Sequence, residues 1–175
     1  MADHSTRSLN DQLIHCAVAG DWAGIASRLA QGADPRHKKS LALFVAAEKG
    51  HHECVKLLAP VSDPSACDSE ALRYATTNGH AECARLLIPF SDPLLHNKKA
   101  LSAVFQGGSA EILSIFLACE PLFLTGLDLP GCRDAAIAKG HADLALLLSS
   151  IIEQEALAAD LPPSASRDDP ASRRL

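Results

Sequence analysis

Apolar positions recur along the chain in blocks of helical spacing, and one block is nearly repeated. Gly50-His51-His52-Glu53-Cys54-Val55-Lys56-Leu57-Leu58 returns 29 residues later as Gly79-His80-Ala81-Glu82-Cys83-Ala84-Arg85-Leu86-Leu87. The next stretch matches too, Ala59-Pro60-Val61-Ser62-Asp63-Pro64 against Ile88-Pro89-Phe90-Ser91-Asp92-Pro93. Self-similarity at a fixed period is the mark of stacked supersecondary units. Aligning on the turn glycine gives Gly20, Gly50, Gly79, Gly108 and Gly140, with spacings of 30, 29, 29 and 32. A small, mostly Ala-rich segment precedes each glycine. A polar start and an apolar run follow it, as in Asp21-Trp22-Ala23-Gly24-Ile25-Ala26-Ser27-Arg28-Leu29. The pattern predicts helix, glycine turn, helix, used about five times.

Each position has a physical reason. Glycine ends the first helix in a left-handed conformation without a Cβ penalty. Alanines before it allow close helix approach, and the Leu pairs bury the second helix between neighbours. Asp34-Pro35, Asp63-Pro64 and Asp92-Pro93 are expected to stop the second helix, because proline cannot continue the hydrogen-bond ladder. Ser40, Ser69 and the region near Lys99 precede the next first helix, and Ser69 is expected as its N-cap. Trp22 is expected to cover the N-terminal edge.

Ala46-Ala47-Glu48-Lys49-Gly50-His51 and Gln31-Gly32-Ala33-Asp34-Pro35 resemble the turn and the ending of the ankyrin repeat. The resemblance covers roughly residues 9–152 and is weakest in the fourth repeat, where Gly107-Gly108-Ser109 lacks the histidine. The family's Thr-Pro-Leu-His opening is absent, Leu41-Ala42-Leu43-Phe44 and Ala71-Leu72-Arg73-Tyr74 standing there. The period is also shorter than the usual 33 or so. The resemblance implies an all-α, ankyrin-like α-solenoid of about five repeats with shortened or absent β-hairpins. The short repeats with Leu-Ile-Pro-x-Ser-Asp-Pro endings are similar to those of bacterial ankyrin proteins.

The boundaries expected are a flexible N-terminus over 1–7 and a repeat domain over 8–158. Its units are 8–35, 36–64, 65–93, 94–120 and 128–158, with a disordered tail over 159–175. Residues 120–131 read as a proline-bracketed connection. A last helix through Ile151-Ile152-Glu153-Gln154-Glu155-Ala156-Leu157 is expected to cap the stack with a polar outer face.

Composition narrows the function. The chain has 175 residues, 47% hydrophobic but only 4% aromatic, which suits closely packed helices better than a β-sandwich. A formal net charge of −5 argues against a nucleic-acid binder. No run is apolar enough for a membrane span, and the first residues carry no signal-peptide core. The six cysteines show no pairing logic, so reduced thiols in a cytoplasmic setting are expected.

Candidate chemistry is sparse. His51, His80 and His141 follow their turn glycines, but equivalent positions in stacked repeats lie about 10 Å apart, too far to share an ion. Hydrogen bonding at the turn is their expected role, and no metal or cofactor is expected. No phosphate loop, nucleophile elbow or Cys-x-x-Cys is present, so catalysis is not expected. A spatial Cys/His pairing is the remote alternative.

The connections carry His37-Lys38-Lys39 before the second repeat and His96-Asn97-Lys98-Lys99 before the fourth, with Asp68 and Glu70 between them. Stacking would align these as a basic, acidic, basic edge. That edge is either a solvated rim or a surface complementary to a partner. By the resemblance, binding uses these tips and the exposed face of the first helices. The face positions are Phe44, Glu48 and Lys49; Arg73, Thr77 and Asn78; and Ser102 and Gln106. Phe44 with Arg73 could form a hot-spot pair, or Phe44 could pack between repeats. The expectation is a non-catalytic module, monomeric when unbound, that binds another protein as a cytoplasmic adaptor or inhibitor. The alternative is an effector delivered into a host cell.

Overall fold

The computed structural model describes residues 4–90, 104–119 and 127–159. The helices are α1 (His4–Ala19), α2 (Trp22–Ala30), α3 (His37–Lys49), α4 (His52–Leu58), α5 (Ala66–Thr77) and α6 (Ala81–Leu87). After a short 3-10 turn at Ile88–Phe90 come α7 (Ala110–Cys119), α8 (Leu129–Ala138) and α9 (Ala142–Ala159). Residues 104–107 are also helical and lead to α7. No β-strand occurs among the described residues. The chain is an all-α solenoid. The tail expected over 159–175 lies outside the described residues, apart from Ala159.

The first helices α1, α3 and α5 pack in series, and α2, α4, α6 and α7 form a second row. Small residues make this possible. Ala17, Ala46, Ala47 and Ala75 have no exposed surface, so backbones approach closely. Leu58, Leu72, Leu87, Leu113 and Leu148 fill the space between the rows, each contributing about 1.5–3 kcal/mol of burial. Cys54 and Cys83 are fully buried in the slot that Ile112 and Leu144 occupy later. They serve as small hydrophobes.

The turns follow from glycine. Gly20, Gly50, Gly79, Gly108 and Gly140 have φ of 73, 77, 77, 70 and 78°. The next residue's N–H reaches back five positions, His51 to the Ala46 carbonyl at 2.9 Å and His80 to that of Ala75 at 2.8 Å. This closes the first helix in a Schellman turn.

Each histidine then does something between repeats. His51 Nε2 donates to the Val18 carbonyl at 3.2 Å and His80 Nε2 to the Glu48 carbonyl at 3.0 Å. Their rings lie where a Cβ on Gly20 or Gly50 would stand, within 2.8 and 2.7 Å of the respective Nδ1, and His141 covers Gly108 in the same way. The hydrogen bonding expected within one turn in fact joins one repeat to the preceding one. Gly79 has nothing within 4 Å of that position among the described residues, because the fourth repeat carries Ser109 where histidine would be.

Several expectations need correction. Helix α1 begins at His4, within the segment expected as the N-terminus. Asp34-Pro35 and Asp63-Pro64 do not stop the second helices: α2 ends at Ala30 and α4 at Leu58, several residues earlier, while Asp92-Pro93 lies outside the described residues. Asp34 and Asp63 instead open the next unit through Asx turns, accepting from the Arg36 N–H at 2.9 Å and the Ser65 N–H at 3.2 Å. Their own N–H groups donate to Asn10 Oδ1 at 2.7 Å and Ser40 Oγ at 2.9 Å. Ser69, in register with Ser40, is buried inside α5 and is not its N-cap; Ser65 holds that position without a side-chain cap bond.

Towards the C-terminus, residues 120–126 lie outside the described residues. From Asp128 the chain is already entering α8: its carboxylate accepts from the Gly131 N–H at 3.0 Å, and Pro130 fits the first turn, where no N–H is needed. The expected separate last helix is the second half of the continuous 18-residue α9. Its outer face is not purely polar, since Leu146 and Leu157 are 70% and 68% exposed. Trp22 does not cover the N-terminal edge either. It is 56% exposed, following Asp21, which caps α2 through the Gly24 N–H at 2.8 Å.

Candidate interaction face

The first-helix row brings Phe44 of α3 beside Tyr74 of α5, ring centroids 5.0 Å apart and nearly perpendicular at 88°. The Arg73 guanidinium carbon lies 4.4 Å from the Tyr74 centroid, and Arg73 Nη2 pairs with Glu70 Oε1 at 3.1 Å. All four side chains are half-buried. Edge-to-face rings and a cation over an aromatic face are each worth about 0.5–1.5 kcal/mol, so the cluster is held in place before any partner arrives. Phe44 therefore does pack between repeats, and it also walls a cavity. That cavity, about 230 Å³, lies between the openings of α3 and α5 and is lined by Lys38, Lys39, Phe44, Pro64, Cys67 and Glu70 among others.

The opening turn of α3 has an unusual backbone. Lys38, Lys39 and Ser40 have φ of 50, 59 and 61°, a left-handed turn built without glycine. Such residues cost about 1–2 kcal/mol each. The buried bond from the Asp63 N–H to Ser40 Oγ helps hold the turn. Cys67 and Ser69 repeat the conformation at the next tip, with φ of 54 and 55°.

The expected site residues divide accordingly. Lys38 is exposed, and its Nζ meets Asp11 Oδ1 at 2.9 Å. Lys39 and Lys49 are exposed, and His37 is half-buried with its Nε2 unbonded among the described residues. The Glu48 carbonyl accepts from both His80 and Asn78 Nδ2, the latter at 3.0 Å, so Asn78 is engaged in joining repeats. Thr77 Oγ1 donates back to the Arg73 carbonyl at 2.8 Å. Gln106 is exposed. Of Asp68 only the backbone, within α5, is described, and Glu70 pairs with Arg73 at 3.1 Å. His96, Asn97, Lys98, Lys99 and Ser102 lie outside the described residues.

Sequence reasoning missed Tyr74 and Cys67. Tyr74 is the chain's one tyrosine, and it follows the residue that was singled out. That was the signal available. Cys67 shares the cavity with Lys39 and is exposed.

The buried thiols offer little nucleophilic chemistry. All six cysteines are free. Burial, with smaller contributions from Cys54 and Glu82, pushes the Cys83 thiol up to about 11. Burial likewise raises Cys54 and Cys132. A thiol held protonated is a poor nucleophile. Among the described residues no three His, Cys, Asp or Glu side chains are grouped to hold a metal ion, and no helix is long and apolar enough to cross a membrane. The cluster can offer apolar contact, a cation and hydrogen bonds to another macromolecule.

Residues 13–97 match the family model for ankyrin repeats, in three copies. The match spans the Phe44–Tyr74–Arg73 cluster and its cavity. No curated protein matches the chain.

Proposed function

Since this chain belongs to the ankyrin-repeat family, whose repeats generally mediate protein–protein interaction, we propose that it is a non-catalytic module that binds one partner protein along its first-helix face. The observation that carries this reading is the pre-ordered Phe44–Tyr74–Arg73 cluster beside an open cavity. Aromatic residues and arginine at the centre of a face are the usual anchors of binding energy. Because packing and ion pairing already fix these side chains, little conformational entropy is lost on binding. Lys39, Lys49 and Gln106, all exposed, form the polar surround. The protein acts as a cytoplasmic adaptor or inhibitor; six unpaired thiols are consistent with a reducing compartment.

Affinity capture from native lysate tests this. The double variant Phe44→Ala/Arg73→Ala should lose a partner that the wild type retains. Lys56→Ala/Arg85→Ala, on the outer surface of the second helices, should keep it. Equal capture by all three would remove the proposed face.

A further inference from the structure

What seats the second, third and fifth repeats on the one before is a histidine over a glycine: His51 on Gly20, His80 on Gly50, His141 on Gly108. Gly140 has the same left-handed backbone, φ 78°, yet nothing lies within 4 Å of its open side among the described residues. Two further departures occur at this end. Ile137 stands three residues before its turn glycine, a slot filled by Ala17, Ala47 and Thr76 with no exposed surface and by the half-buried Phe105, but Ile137 is itself 60% exposed. Leu146 stands six residues after its glycine, where the other repeats place Ala26, Lys56, Arg85 and Ser114. Folding does not require leucine there, and it is 70% exposed. With Gly140, Ala142, Ala145 and Ser149 these two line an apolar groove of about 390 Å³ between α8 and α9. The groove continues the series of repeat-to-repeat interfaces, but no repeat fills it among the described residues.

We infer that this groove is a self-association face, closed by the same groove of a second copy in a twofold pair. Leu146 of each copy enters the other's groove against Ile137. Lys139 and Asp143, exposed on either side of the Gly140 turn, have opposite charge and no ion pair among the described residues. A twofold axis brings Lys139 of one copy to Asp143 of the other. Head-to-tail stacking fits worse. The first repeat has Asp21 in place of the seating histidine, and its carboxylate is committed to the Gly24 N–H. It would bring a charge onto an apolar socket and build an open filament rather than a closed pair. The dimer replaces the monomer expected from sequence, and it leaves the first-helix face free.

Sedimentation velocity of the full chain over a concentration series tests this. Wild type should move from monomer to dimer and no further. Leu146→Lys and Ile137→Thr copy the residues of equivalent slots, Lys56 and Thr76, so the repeat fold accommodates both. Each should weaken dimerisation about ten- to a hundredfold with an unchanged circular dichroism spectrum. Growth beyond dimer would mean head-to-tail stacking and overturn the twofold pair. A dimer unaffected by both variants would place the contact elsewhere. A wild type that stays monomeric would also overturn it, and a chain ended after Ala159 that then dimerised would identify residues 160–175 as the occupant instead.

Discussion

Replacing Gly50 with alanine should hurt far more than replacing Gly79, although the two glycines have the same φ of 77°. Both substitutions put a Cβ into the left-handed region, at about 1 kcal/mol or somewhat more. At Gly79 that is the whole effect, because no atom of the described residues lies within 4 Å of the new Cβ. At Gly50 the new Cβ would lie 2.7 Å from His80 Nδ1. The ring must move, and it is tethered by the 3.0 Å bond from Nε2 to the Glu48 carbonyl. Losing that bond adds about 0.5–1.5 kcal/mol, and lost ring packing adds more. The expected totals are about 1 kcal/mol for Gly79→Ala and about 2–3 kcal/mol for Gly50→Ala. Urea unfolding followed by circular dichroism measures both. The decisive arm is the double variant: in a His80→Ala background, Gly50→Ala should cost only what Gly79→Ala does. Equal costs for the two single variants, or simple additivity of Gly50→Ala with His80→Ala, would refute the histidine-on-glycine seat.

Further outcomes follow from the same contacts. Ser40→Ala should destabilise by about 1–2 kcal/mol in urea unfolding, because it leaves the Asp63 N–H without its acceptor. The Cys83 thiol, raised from 9.0 to about 11 by burial, keeps its proton in the folded chain after the unfolded chain has lost it. Stability therefore falls as pH rises from about 9 towards about 11, by up to about 1.4 kcal/mol per pH unit. Cys83→Ala should flatten that slope, as pH-dependent unfolding curves will show. In the native protein a thiol reagent should label the exposed Cys67 and Cys119 first, with Cys54 and Cys83 reacting only on unfolding; peptide mapping reads the order.

Much of the fold is legible from spacing, because glycine, alanine and leucine each have one physical reason to recur at a fixed offset. Even the uncovered side of Gly79 follows from Ser109. The left-handed turn at Lys38–Ser40 is not legible, since its stabilising bond comes from Asp63, 23 residues further on. The same distance hides why Ser69 is buried inside a helix rather than capping one. Asp-Pro reads equally as a stop or a start until the partner of its backbone N–H is known. On the face, Phe44 and Arg73 stand out by size among alanines and leucines. Pattern alone does not assign Glu70 to Arg73, Asn78 to the Glu48 carbonyl, or Lys38 to Asp11, because side-chain pairing across repeats depends on the rotation between them. The polar outer face expected of residues 151–157 is interrupted by Leu157, 68% exposed. Leu146, earlier in the same helix, looks ordinary until compared with its equivalent one repeat earlier, Ser114.

Hydrogen exchange of the captured complex tests recognition by the first-helix face most directly. Binding should slow exchange in Phe44–Lys49 and Arg73–Asn78 while leaving α4 and α6 unchanged. Protection confined to those second helices, or to the α8–α9 end, would contradict it.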